Sequence, residues 1–200
     1  MYNIRYGLNY LRHRFVANNR HGIHSPFVYK LIDTVIYDYR HQKVYREIEI
    51  AIKASHPDGR VINKLPFKVY QLLYRLAVYF NPNMFAIAGG NDGILSVPIK
   101  MAIPGAEFLE FLELTNSTSA DMIIVDAAVH DITHYLEKVL HYIHDDITLI
   151  FTNIHRNQKT KTGWGILKAN ERVRVTVDLY YLGLVFFKPG MSKEDFRVRY

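Results

Sequence analysis

Apolar positions along this chain follow one rhythm before residue 84 and another after it. In the first part they recur every three or four residues, as Ile4, Leu8, Leu11 and Phe15, then Phe27, Leu31, Val35 and Ile36, then Val69, Leu72, Leu73, Leu76 and Phe80. That spacing marks one face of a helix and predicts helices over 2–17, from Ser25-Pro26 onward, over 43–55 and from Pro66. The boundaries carry their own signals. Ser25 is an N-cap residue followed by a first-turn proline, His56-Pro57-Asp58-Gly59 is a turn cluster, and Asn81-Pro82-Asn83 stops the fourth helix.

In the second part short apolar runs alternate with helical stretches. Residues 84–88, 122–125 and 147–154 read as strands, and an unbroken run such as 122–125 is what burial on both faces requires. Helices are predicted after the glycine turn to about Ile103, over 131–143 and over 158–169. Residues 173–178 and 182–187 form an antiparallel ribbon. Between Pro104 and Ala120 only one strand and a loop fit, because a parallel crossover needs a dozen or more residues for its connection alone. Glu107, Glu110 and Glu113 repeat every third residue there, which suits a short helix equally, so 104–114 stays open between strand and helix. Strand–helix alternation closed by a hairpin implies a three-layer α/β sandwich with a mostly parallel sheet. The expected organisation is a helical extension over 1–65 packed on a domain over 66–200.

Composition narrows the function classes. The chain has 200 residues and no cysteine, which excludes disulfides, thiolate catalysis and thiolate metal sites. No apolar run approaches the roughly 18 residues of a membrane span, and the N-terminus lacks the apolar core of a signal peptide, so the expected location is cytoplasmic. The formal charge is +6 and it is uneven: the first thirty residues hold Arg5, Arg12, Arg14, Arg20 and Lys30 with no acid. Such a segment can meet phosphate in nucleic acid or at a membrane. No recognised nucleic-acid module accompanies it, and a solvated helix face is the expected reading.

Gly89-Gly90-Asn91-Asp92-Gly93 joins the 84–88 strand to a helix. Glycines permit a sharp turn and a close ligand approach, and a helix start offers unpaired amides. His130, His134 and His141 fall at i, i+4 and i+11, with His144 and His155 expected nearby. Imidazoles at i, i+4 can hold zinc, but no metal motif accompanies them and surface or capping roles are expected. His155 ends a strand at the carboxyl edge of the sheet, where open α/β sheets place ligands, and is a candidate general base. Trp164, the only tryptophan, is expected to pack the last helix on the sheet.

His21-Gly22-Ile23-His24-Ser25-Pro26-Phe27-Val28-Tyr29 resembles the H-G-x-H-S-P-F-V-F segment of a group of bacterial class I S-adenosylmethionine-dependent methyltransferases. Residues 147–155 resemble the family's strand ending in D-D-I-H. Residues 173–187 resemble its closing hairpin, and Phe196-Arg197-Val198-Arg199 its tail. The resemblance implies a Rossmann-like methyltransferase domain whose glycine turn, Gly89, Gly90, Asn91 and Gly93, wraps the methionine part of the cofactor. Glu113, or Glu110, would hold the ribose, Asp126 would end the fourth strand, and His155 or His130 would be the base. The chain departs from that pattern in four places. Ile87 stands where an acid would meet the cofactor's amino group. Val125-Asp-Ala-Ala-Val-His130 replaces I-D-G-N-H, Thr152-Asn153 replaces an acidic pair, and the segment before residue 121 is short. One carboxylate, a hydroxyl and an amide make a poor divalent site, so no metal is expected. The expectation is an eroded methyltransferase with a reduced sheet and weakened or lost catalysis. It would act by binding a small molecule or protein or by self-assembly; the alternatives are an active metal-independent methyltransferase and a nucleic-acid-binding helix.

Overall fold

The computed structural model describes residues 4–19, 22–55, 65–89, 93–111, 119–129, 131–142 and 144–200. Its helices are α1 (Ile4–Val16), α2 (Pro26–Leu31, continued by a π-helical turn Ile32–Ile36), α3 (Val44–Ala54), α4 (Phe67–Phe80), α5 (Ser96–Ala102), α6 (Ile132–Tyr142) and α7 (Gln158–Ala169). The strands are β1 (Met84–Ala88), β2 (Glu107–Glu110), β3 (Met122–Asp126), β4 (Thr148–Thr152), β5 (Val175–Asp178), β6 (Leu182–Phe186) and β7 (Glu194–Arg197). The cap signals act as the sequence implies. The Ser25 side chain accepts from the Val28 amide at 3.5 Å, and Asn81 ends α4 in the left-handed region at φ 46°.

The strands form one sheet in the order β2-β1-β3-β4-β6-β5-β7. β2, β1, β3 and β4 pair in parallel, β6 is antiparallel to both β4 and β5, and β7 pairs in parallel with β5. The predicted hairpin is present, and β7 extends the sheet one strand beyond it. The 104–114 ambiguity resolves toward a strand: β2 pairs with β1, Met84 opposite Glu107 and Ile87 opposite Glu110.

Side chains alternate between the two faces, as the period of a strand demands. Phe85, Ile87, Met122, Ile124 and Ile150 pack with the N-terminal helices and α5. Ala86, Ala88, Ile123, Val125 and Phe151 pack with α6 and α7. Close approach on this second face depends on glycine. A Cβ on Gly183 would lie 2.5 Å from the Trp164 ring, and one on Gly163 would lie 2.9 Å from Ile132 Cβ. Trp164 does pack α7 against the sheet, at 3% exposure.

α1 does not bury the stripe that marks it in the sequence. Leu8, Leu11 and Phe15 are exposed, Phe15 at 84%, while Tyr6, His13 and Ala17 face inward. The helix is instead held by polar and aromatic groups. Tyr10 Oη donates to the Tyr200 carbonyl at 2.9 Å, Tyr180 Oη donates to the Tyr6 carbonyl at 2.5 Å, and Asn18 bridges to Val198. Among the described residues no helix is long and apolar enough to cross a membrane.

Candidate functional site

β1, β3, β4, β5 and β7 all run in one direction, so their carboxyl ends share one edge of the sheet. Asp126 ends β3 there and is buried. Its Oδ1 accepts from Thr152 Oγ1 at 3.0 Å, from Asn153 Nδ2 at 2.9 Å and from the Ala128 amide at 3.0 Å. The three positions singled out in the sequence are thus brought together, but the hydroxyl and the amide donate to the carboxylate. A hard divalent cation requires oxygens turned toward it and more than one negative charge. This donor set does not fit one.

On the β1 side, Gly89 and Gly93 have φ values of 92° and 63°, a region that glycine enters without strain. Ser96 Oγ donates to the Gly93 carbonyl at 2.6 Å and ties the turn to α5. Ile87 is buried in the hydrophobic core, so β1 offers no carboxylate at that level. Glu110 is the last residue of β2. Gly90, Asn91, Glu113 and His130 lie outside the described residues. Among the described residues the fit to the methyl donor is partial: Gly89, Gly93 and Asp126 stand toward the carboxyl edge, and β1 carries no acid.

The most developed cluster lies at the carboxyl ends of β4 and β5. His155 Nε2 meets Asp178 Oδ2 at 2.8 Å, and His13 Nε2 meets Asp178 Oδ1 at 3.0 Å. The Tyr180 amide donates to the same Oδ1 at 2.9 Å. A carboxylate facing both rings places their protons on Nε2. Burial pushes the Asp178 carboxyl up, but the hydrogen bonds from His13 and His155 outweigh it and hold the group below the ordinary carboxylate range. The His155 ring stacks on Tyr180, centroids 5.0 Å apart and planes 8° apart. Tyr180 itself sits at φ 71°, and burial, with Tyr181 and Asp178 nearby, pushes its phenol up. Asn153, one residue past β4, has φ 59°. Non-glycine residues held in this region concentrate at functional sites.

Sequence reasoning found His155 and its place on the edge. It missed His13 and Asp178 as its neighbours. An acid ending the apolar alternation Val175-Thr-Val-Asp178 was the available signal; nothing local marks His13. His144 and His155 stand at opposite edges of the sheet. His144 lies 4.0 Å from Asp121, just before β3, at the amino edge, because it precedes β4 whereas His155 follows it. His134 is exposed on α6. A cleft of about 370 Å³ beside α4, lined among others by Tyr10, Lys68, Arg75 and Tyr200, contains none of the residues singled out for chemistry. There the buried Arg75 donates to the Val35 carbonyl at 2.7 Å and to Tyr45 Oη at 3.2 Å, satisfying the end of the π-helical turn.

No protein-family model matches the sequence, and no curated protein matches it. Solved structures do match in fold. The O-methyltransferase TomG from Streptomyces achromogenes, in complex with SAM, superposes with a TM-score of 0.54 at 11% identity over 78% of this chain and 95% of its own. An O-methyltransferase from Bacillus cereus in complex with SAH gives 0.53 at 12% identity over 78% and 94%. A methyltransferase from Geobacter sulfurreducens gives 0.54 at 15% identity over 82% and 97%. The chain has the α/β fold of the S-adenosylmethionine-dependent O-methyltransferases.

Proposed function

We propose that this chain is a divergent methyltransferase-like protein whose grip on the methyl donor is weakened, and which works by binding or assembly with catalysis reduced or lost. The carrying observation is the state of the donor side. Ile87 packs in the core where an acid would be needed, and one oxygen of Asp126 is shared by Thr152, Asn153 and Ala128. Polar edges of a ligand left unmatched cost affinity, since each must be stripped of water without repayment. Calorimetry with S-adenosylmethionine and its demethylated product tests this. Weak heats that fail to saturate below millimolar ligand are expected; micromolar binding would overturn the reading. A homo-oligomer and a cytoplasmic location belong to the same proposal, and light scattering that finds only monomer removes assembly from it.

One observation favours an active, metal-independent enzyme as a second reading. Asp178 orients His155 through Nε2, leaving Nδ1 to take a proton from an acceptor group, which is how a carboxylate prepares an imidazole base. Conversion of S-adenosylmethionine to the demethylated product that disappears in His155→Asn would promote this reading over the first.

A further inference from the structure

We propose that the cavity between α1, the residues following β4 and the first turn of α7 binds the anionic group, phosphate or carboxylate, of a small molecule. The cavity has a volume of about 260 Å³, and its lining includes Arg12, His13, His155, Lys161, Tyr180 and Arg197. The inference does not rest on donor binding and stands even if the glycine turn holds nothing.

Charge is the first argument. Arg12, Lys161 and Arg197 form no ion pair with an acid among the described residues. Asp178, which holds His13 and His155 of the wall, already accepts from both and from the Tyr180 amide. Three cations converging on one concavity repel one another, and low-dielectric walls strengthen that field. The field is relieved when an anion enters.

The helix behind Lys161 adds to it. α7 has no acid in its first turn, where an acid would complement the positive end of the helix and a lysine opposes it. Lys159 is offset by Asp131 at 3.1 Å; Lys161 has no such partner. A sequence that breaks a local rule at a concave, strained place is expected to do so for a ligand.

The second, independent argument is His13. Its side chain is 4% exposed, it lines the cavity, and its Nδ1 has no hydrogen-bond partner. Buried polar atoms are nearly always satisfied, and this one stands unpaired in the cavity wall. The floor is also rigid before any ligand arrives. His155 is stacked on Tyr180, and Tyr180 is tied to Tyr6, so little ordering is left to oppose binding.

His13, His155 and Asp178 place one donor atom each within 4.8 Å of one another, a spacing a transition metal accepts. The surroundings argue against a cation. Ligating imidazoles usually give their other nitrogen to an acceptor, which His13 lacks, and three uncompensated cations would repel the ion. The volume lies just below the roughly 300–1,000 Å³ of sites for drug-sized ligands, which favours a small molecule over a polymer.

Calorimetry and amide NMR on the full chain at fixed ionic strength test this, with inorganic phosphate in one arm and acetate in the other. Saturable millimolar binding of either is expected, with shift changes at Lys161 and Tyr180, and the tighter arm identifies the group. Lys161→Gln and Arg197→Gln lie at the surface and leave the core intact; each is expected to weaken binding about tenfold, or about 1.4 kcal/mol. No binding at tens of millimolar, or equal binding by wild type and both variants, overturns the proposal. So does tight binding of zinc alone that His13→Asn abolishes.

Discussion

At Gly183, the missing side chain is what admits the indole of Trp164, since a methyl there would stand 2.5 Å from the ring. Gly183→Ala is therefore predicted to destabilise the fold by about 1–3 kcal/mol through overpacking. The urea midpoint checks this, followed by fluorescence of the single tryptophan. Asp178 is the other residue whose change has a clear sign. Its carboxyl is held below the ordinary value of 3.8 in the folded chain, so its stabilising contribution is complete above that value. The contribution is lost as the pH falls from 3.8 toward the folded value. Asp178→Asn is predicted to flatten the acid limb of the stability profile below about pH 4. At pH 7 it should cost roughly 1–3 kcal/mol, because the amide keeps one acceptor oxygen and turns an N–H group toward the imidazole that met the other. Denaturation midpoints between neutral and acidic pH read both effects, and an unchanged acid limb would refute the assignment.

Among the elements, α1 separates pattern from packing. Helical spacing identifies the helix correctly, yet its apolar stripe points to water and its attachment runs through Tyr6, Tyr10 and His13. Phe15→Ser is predicted to change stability by less than about 0.5 kcal/mol, whereas Tyr6→Ala should cost roughly 3 kcal/mol or more. Thermal or urea unfolding of the two variants distinguishes them, and a large loss from Phe15→Ser would mean that the stripe is covered. β2 shows the converse. Its glutamates at every third position are compatible with a helix, and the strand exists because β1 offers a parallel edge. Gly163 and Gly165 look alike as helix weakeners in the sequence. Only Gly163 is required, by contact with Ile132; Gly165 meets nothing within 4 Å.

For the whole molecule, the order of the sheet predicts the order of opening. β3 and β4 are central and fully buried, whereas β2 and β7 are edges with exposed positions. Amide exchange is expected to be slowest in β3 and β4 and fastest in β2 and β7; protection of β2 equal to that of β3 would contradict this. The layers, the strand–helix alternation and His155 at the carboxyl edge were legible in the sequence, because period and capping are local properties of a few neighbouring residues; Asp126 was legible through the family resemblance. His13 and Asp178 stand 165 positions apart, and no local pattern encodes that meeting. The sequence by itself determined which segments become helix or strand and that one sheet edge carries polar residues. Only the tertiary structure decided which histidine meets which carboxylate and which face of α1 is buried, because those outcomes depend on the packing of distant surfaces.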